Sequence, residues 1–471
     1  MTPSVTLSVM PSVMSGAAPG VMPRVRRAAA MPPGTPELPV LIVGAGACGL
    51  SAALGLRDAG IDCALLERNA SAGGSTALSS GFVPAAGTAV QRAAGVANDS
   101  PARFAQDIQA KAKGTAAAHL VAAYTEAIAP ALDTLQARHG LRFELVDGFL
   151  YPGHSVRRMH TLPQRTGAAL IAALDVAATD AGAIPLYRTR AQELWCDETG
   201  RVHGVGCLKP DGRSEHMACR VLLLACNGFA GNAAMVRELL PEMHDAAFGG
   251  HAGNDGSAIA WGRQLGARLA DLGGYQGHGS WAVPHGVLIS WALMMEGGIQ
   301  VNAEGRRFHD ERGGYSEASV QVLAQPGGIA WNVIDERLLD MAQHFPDFVA
   351  AQQAGAVRRA DGAEALAALI GCDTATLAAT LAGTALHTPY FAIRVTGALF
   401  HTQGGLDIDA RCRVLREDGA PLPNLLAAGG AARGVSGNAV WGYLSGNGLL
   451  SAIAGGQIAA RTAAQLLGET S

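Results

Sequence analysis

None of the eight cysteines in this 471-residue chain stands in a C-x-x-C pair. Without that spacing a C-x-x-C-H haem attachment and a zinc site have no ligand set. The scattered positions argue equally against a disulfide framework. A reducing, cytoplasmic setting is the expectation. Charge is scarce too: 16% of residues are charged and the net charge is −4. No electrostatic argument therefore favours a nucleic acid or an anionic membrane as partner. No apolar run reaches the roughly 18 residues of a membrane span. The chain has no G-x-S-x-G nucleophile elbow and no H-E-x-x-H metal motif.

What it has in quantity is glycine, 61 residues, on a background that is 49% hydrophobic. That suits a globular α/β protein of two or three domains. The glycines are ordered. An apolar run, Val40 to Val43, leads into Gly44-x-Gly46-x-x-Gly49, then a helical segment to about Gly60 and a second strand ending at Glu67. Gly44 permits a sharp turn, Gly46 lets a pyrophosphate approach the backbone, and Gly49 lets the helix pack tightly on the strand. The helix N-terminus then offers free N–H groups to phosphate, and Glu67 stands where an acid can bind a ribose hydroxyl. This order specifies a dinucleotide site without deciding between NAD and FAD.

Further along, Gly73-Gly74-Ser75-Thr76 opens a second glycine and hydroxyl cluster. Helical spacing predicts helices over 115–139 and 165–181. Between them YPGHSVRRMH, with His154, Arg157, Arg158 and His160, reads as a solvated loop or a substrate-facing cluster. Turn residues in 189–226 predict an antiparallel meander whose last strand, from Val221 to Ala225, is buried on both faces. The texture changes near 273 and again near 387–400, which marks an inserted domain. A strand, a glycine-rich loop and a helix recur at 424–449. One ligand held by both ends of the chain explains the repetition. Residues 1–37 are expected to be a disordered tail, with a true start at Met31 as the alternative. The apolar stretch that a signal peptide needs after its charges is absent.

With VGAGACGLSAALGLRDAG, GGSTALSSG, VLLLACNGFAGN, GGIQVNAEGRRFHDE, HTQGGLDID and LPNLLAAGG in this order, the chain resembles the FAD-dependent family of soluble fumarate reductases, flavocytochrome c and 3-ketosteroid dehydrogenases. The resemblance covers residues 38 to 471. It implies an α/β fold with a Rossmann-like FAD-binding domain split in sequence, 38–272 and 401–471, around an α+β capping domain, 273–400. It implies that Gly44, Gly46, Gly49, Glu67, Gly73, Gly74, Ser75, Thr76, Gly429, Gly446 and Gly448 bind FAD. Gly446 and Gly448, opening the last helix, would face the flavin edge that becomes negative on reduction. No histidine replaces a residue of GGSTALSSG, so the FAD is expected to be non-covalent.

On the substrate side the resemblance implies that His278 and His401 orient the substrate. Tyr315 would act as catalytic base, and Arg337 stands as an alternative proton donor. Two departures matter. Residues 438–443 carry no substrate-carboxylate arginine, although Arg433 lies just upstream, and AAGE reads Ala427-Ala428-Gly429-Gly430. The loss of that arginine, together with Trp281, Trp441 and Tyr443, points toward a larger and less charged substrate. The expected activity is hydride transfer between flavin and a carbon–carbon bond next to a carbonyl or carboxylate, with an unidentified electron partner. Reduction of a small dicarboxylate and non-catalytic electron carriage are the alternatives. A nicotinamide reductase with two Rossmann motifs is disfavoured by the single G-x-G-x-x-G.

Overall fold

An apolar strand that leads into a glycine turn has to be buried on both faces, and the strand Glu37–Val43 lies in the middle of a mainly parallel sheet. The computed structural model describes residues 23–147 and 150–469. In chain order its defining elements are β1 (Arg24–Arg27), β2 (Glu37–Val43), α1 (Ala47–Asp58), β3 (Cys63–Leu66), β4 (Ile184–Leu186), β5 (Arg190–Cys196), β6 (Val202–Leu208), β7 (Ser214–Leu224), α2 (Tyr315–Leu323), β8 (Arg413–Leu415), β9 (Pro421–Ala427) and α3 (Asn447–Glu469). The sheet order is β1-β5-β6-β7-β2-β3-β4, with β9 paired to β7 and β8 to β9.

β7 does two jobs. Ser214–Ala218 pairs antiparallel with β6, as the turn residues between them predict. Leu222–Leu224 then runs parallel between β2 and β9. This is how the end of the chain joins the beginning in one sheet. The carboxyl ends of β2, β7 and β9 all finish in glycine-containing loops, at Gly44, Gly228 and Gly429. In a doubly wound sheet that edge is where ligands bind.

α1 and α3 pack closely because small residues line their contact. A Cβ on Gly55 would sit 2.9 Å from the Cβ of Ala460, and one on Gly456 would sit 2.5 Å from the Cys48 carbonyl. No larger side chain fits there without moving backbone.

Two compact units result. The larger contains the described residues of Pro23–His278, Arg312–Val320 and Ala398–Ser471; the smaller contains Gly279–Glu311 and Gln321–Gly397. The smaller unit is built on an antiparallel sheet in which Ile329–Asp335 pairs with Ile299–Val301 and with Tyr390 to Thr396, and the latter stretch also pairs with Val357–Ala360. Its buried polar residues are satisfied internally: Gln300 donates to the Asn332 side-chain oxygen at 2.8 Å and its backbone N–H donates to Glu311 at 2.8 Å.

These boundaries differ from 273–400 in one consequential place. Residues 312–320 belong to the larger unit, where Ser316 bonds both the N–H and the carbonyl of Gly277 and Glu317 pairs with Lys111. Composition could not show this, since those partners lie about 40 and 200 residues away in sequence. Part of the expected tail is also ordered. β1 pairs with β5, Arg24 forms an ion pair with Glu193, and the Arg26 guanidinium lies 4.2 Å over the Trp195 ring. Residues 1–22 lie outside the described residues. Among the described residues no helix is long and apolar enough to cross a membrane.

Candidate functional site

Every side chain whose contacts are described in this subsection lies in the larger unit unless stated. At the end of β2, Gly44 has φ +108°, and a Cβ there would meet the Ala225 carbonyl at 2.6 Å. Only glycine makes this turn. A Cβ on Gly49 would overlap the Gly44 carbonyl, so the first turn of α1 can approach the strand only with glycine there. Gly46 caps α1 without any side-chain bond, and a Cβ on it would find only the Gly73 carbonyl, 3.9 Å away. The start of the 12-residue α1 is thus an open patch of backbone with amides to give.

Glu67 fixes this loop. Its carboxylate accepts the N–H of Ala45 at 3.0 Å and that of Asn69 at 2.8 Å. A carboxylate has about four acceptor positions, so capacity remains for hydroxyl donors. Ser75 is also prepared. Its hydroxyl oxygen accepts from Asn227 Nδ2 at 2.9 Å and Asn254 Nδ2 at 3.1 Å, so its own hydrogen is left to donate elsewhere. Thr76 accepts the Ala47 N–H at 3.3 Å. The buried side-chain carbonyl oxygens of Asn254 and Asn447 have no hydrogen-bond partner within the chain. Gly429 and Gly446 both have positive φ, +60° and +87°. Gly73 and Gly74 open the short helix Gly74–Ala77. Asn227 and Asn254 were not singled out by the sequence reading; the one available signal was Asn-Gly at the end of β7.

The second constellation is aromatic. His278, in the strand Tyr275–Ala282, stacks on Tyr315 with ring centroids 4.9 Å apart and planes 20° apart. Tyr443 lies edge-on to Tyr315 at 6.2 Å and to His401 at 5.6 Å. The Tyr315 hydroxyl is 3.0 Å from the Ser445 hydroxyl. His401 stands beside the start of α3, where a Cβ on Gly448 would lie 3.1 Å from Nε2. Three of the four expected catalytic residues are thus linked ring to ring: His401 and Tyr315 through Tyr443, and His278 through Tyr315. Arg337 lies in the smaller unit, where it donates to the Glu296 carbonyl at 2.8 Å.

Burial makes this cluster uncharged. It lowers His278 to about 3 and His401 to about 4, the latter partly offset by the Thr402 carbonyl. It raises Tyr443 to about 12 against the opposing amides of Gly448 and Gly446, and it raises Tyr315 well above the usual phenol range. All four are neutral near pH 7. Two cations of the same unit are held in ion pairs. Arg433 pairs with Asp271 at 2.7 Å and with Asp407 at 3.5 Å, and Lys111 pairs with Glu317.

The loop 151–160 is only partly solvated, with Gly153, Ser155 and Arg157 exposed. His154, Arg158 and His160 are buried. Arg158 is bidentate to Asp99, at 3.0 and 2.9 Å, and reaches Asp107 at 2.5 Å. His154 accepts from Arg158 at 3.2 Å and donates to the Ser445 carbonyl at 2.9 Å. The two aspartates supply the countercharge that the local sequence lacks. Among the described residues no cluster of three or more His, Cys, Asp or Glu side chains is placed to hold a metal ion.

A model of the FAD binding domain matches residues 39–449. The chain belongs to the FAD binding domain family. It is 27% identical over 448 residues to the probable fumarate reductase Ifc3 of Shewanella frigidimarina, covering 90% of this chain and 74% of that one. Among solved structures, the open conformation of a flavocytochrome c3 fumarate reductase matches with a TM-score of 0.79 and 26% identity, over 92% of this chain and 79% of that one. The 3-ketosteroid-Δ4-(5α)-dehydrogenase of Rhodococcus jostii RHA1, in complex with 4-androstene-3,17-dione, matches with a TM-score of 0.75 and 25% identity, over 94% and 99%.

FAD is therefore the cofactor, and the residues present fit it. The open backbone at Gly46 and the uncapped start of α1 suit a pyrophosphate, Glu67 has acceptor positions for ribose hydroxyls, and Ser75 has a hydrogen to give. The unpartnered carbonyl oxygens of Asn254 and Asn447 are acceptors awaiting a donor.

Proposed function

We propose that this FAD-dependent oxidoreductase acts on a carbon–carbon bond conjugated to a neutral carbonyl, as in a cyclic enone or ketosteroid-like substrate. Bound FAD supplies the two-electron hydride chemistry. The chain's own residues bind the substrate, orient it and hold one proton. The observation that carries the reading is the neutrality of the cluster: two phenols and two uncharged imidazoles, while Arg433 of the same unit is held by two aspartates. A carboxylate desolvated among these four side chains would find hydrogen-bond donors but no positive charge from them, at a cost of several kcal/mol (roughly, for an unpaired buried charge). A carbonyl oxygen needs only the donors.

In this reading Tyr315 holds the transferable proton on its hydroxyl, with the Ser445 hydroxyl 3.0 Å away as partner. For reduction it gives that proton to the carbon next to the one receiving hydride. Dehydrogenation is the reverse and requires Tyr315 as phenolate, a stronger base for being buried but scarcely populated at neutral pH. His278 stacks under the Tyr315 ring and sets its orientation, while His401 and Tyr443 supply donors to the substrate oxygen. Arg337, engaged with the Glu296 carbonyl, is given no role. The second reading is a small-dicarboxylate reductase, favoured by the similarity to the probable fumarate reductase. Steady-state turnover of the holoenzyme separates the two: ketosteroids and cyclic enones with an artificial electron carrier in one arm, fumarate and urocanate with reduced viologen in the other. Turnover of the charged acids alone would refute the first reading.

A further inference from the structure

Gln403 lies two residues beyond His401, in a position to which no role has been given so far. It belongs to a one-way chain of hydrogen bonds that starts at the first residue of α3. Asn447 Nδ2 donates to Ser436 Oγ at 3.0 Å, and Ser436 Oγ donates to Gln403 Oε1 at 3.0 Å. Gln403 Nε2 then faces His401 Nδ1 at 3.1 Å. Asn447, Ser436 and Gln403 are all buried, at 0%, 1% and 4% exposure, so water does not replace these partners.

The direction follows from the donor inventory. An amide nitrogen only donates. Ser436, which accepts from Asn447, has one hydrogen and must give it to Gln403 Oε1. The Gln403 nitrogen is then the group facing the ring, and the ring nitrogen must accept. A ring nitrogen that accepts carries no hydrogen, so the single proton of a neutral imidazole is on the other one, Nε2. The competing contact, Nδ1 to the Thr402 carbonyl, is longer at 3.4 Å and would need the opposite tautomer. Nε2 is the atom beside Gly448 at the start of α3.

We propose that Gln403 is a positioning residue that, through the chain Asn447–Ser436–Gln403, fixes His401 as the Nε2–H tautomer and so makes it a hydrogen-bond donor on the side facing the start of α3. A substrate is then selected for an acceptor atom, such as a carbonyl oxygen, at that point. This last step rests on the function proposed above; the tautomer assignment does not.

The test uses intact holoenzyme labelled with 15N in its histidine rings, with His401 assigned by its loss in His401→Gln. Wild-type protein should show His401 protonated at Nε2. In Gln403→Glu a carboxylate replaces the donor and can only accept, so the proton should move to Nδ1, and kcat/KM on a confirmed substrate should fall about tenfold, as expected for one misdirected hydrogen bond. Gln403→Met, of similar length and without polar atoms, should show both tautomers in exchange, which keeps the proposal testable if the Glu variant fails to fold. A wild-type proton on Nδ1, or an unchanged Nε2–H tautomer in Gln403→Glu, would overturn it. Inverted tautomers in Gln403→Glu with turnover unchanged would uphold the tautomer lock and refute the catalytic reading of His401.

Discussion

Replacing Tyr315 by Phe removes one oxygen and leaves the stacked ring in place. Two magnitudes then separate. The lost contact is a neutral hydrogen bond, the 3.0 Å pair with Ser445, worth roughly 0.5–1.5 kcal/mol of stability. The lost chemistry is a positioned proton, which contributes about 10²–10⁴ in rate, or ~3–5 kcal/mol of barrier. The variant should therefore melt within a few degrees of the wild type, bind FAD unchanged, and lose at least a hundredfold in the hydride-transfer step. Stopped-flow absorbance of the flavin, with a confirmed substrate and no oxygen, reads that step apart from product release. Under the same conditions Ser445→Ala should lose less, since Tyr315 keeps its own proton. A Tyr315→Phe rate within tenfold of wild type would refute the proton role. A large drop in melting temperature would show instead that the hydroxyl matters mainly for packing.

Three further outcomes are expected. Arg158→Met leaves the buried carboxylates of Asp99 and Asp107 without their cation and should cost about 3–5 kcal/mol in urea denaturation; a loss below about 1 kcal/mol would contradict the buried ion-pair account. His154 and His160 are both lowered to about 4, chiefly by burial, so the unfolded chain binds protons that the folded chain refuses. Stability should thus be full above roughly pH 6.5 and fall as pH drops toward 4, by about 1.4 kcal/mol per unit for each histidine; a flat denaturation profile from pH 7.5 to 4.5 would contradict this. Glu67→Gln keeps an acceptor oxygen but loses the charge and half the acceptor positions, so FAD release measured by flavin fluorescence should show roughly ten- to hundredfold weaker binding.

The nucleotide cradle was legible in the sequence because its determinants are local. Gly44, Gly46 and Gly49 fall within six residues, and the backbone geometry that requires them is set by one turn and one helix. The return of the C-terminal strand into the same sheet was also legible, since an apolar strand followed by glycine occurs at both ends. What could not be read depends on partners distant in sequence. Arg24 to Arg27 look like a tail until Glu193 and Trp195 come alongside. The loop 151–160 looks solvated because Asp99 and Asp107, which neutralise Arg158, lie some fifty residues upstream. The residues of the aromatic cluster were each found in a separate motif, but their common neutrality is a property of shared burial, which no motif encodes. Gln403 and Ser436 escaped notice because their importance lies only in which hydrogen bond each makes.

The central claim is that the cluster of Tyr315, His278, His401 and Tyr443 receives a neutral carbonyl compound. The most direct measurement is the anaerobic reoxidation of chemically reduced holoenzyme, followed at the flavin absorbance band, on mixing with a cyclic enone or with fumarate at equal concentration. The account predicts reoxidation by the enone at least about a hundredfold faster, the equivalent of ~3 kcal/mol for failing to pair a buried carboxylate. Faster reoxidation by fumarate would contradict it.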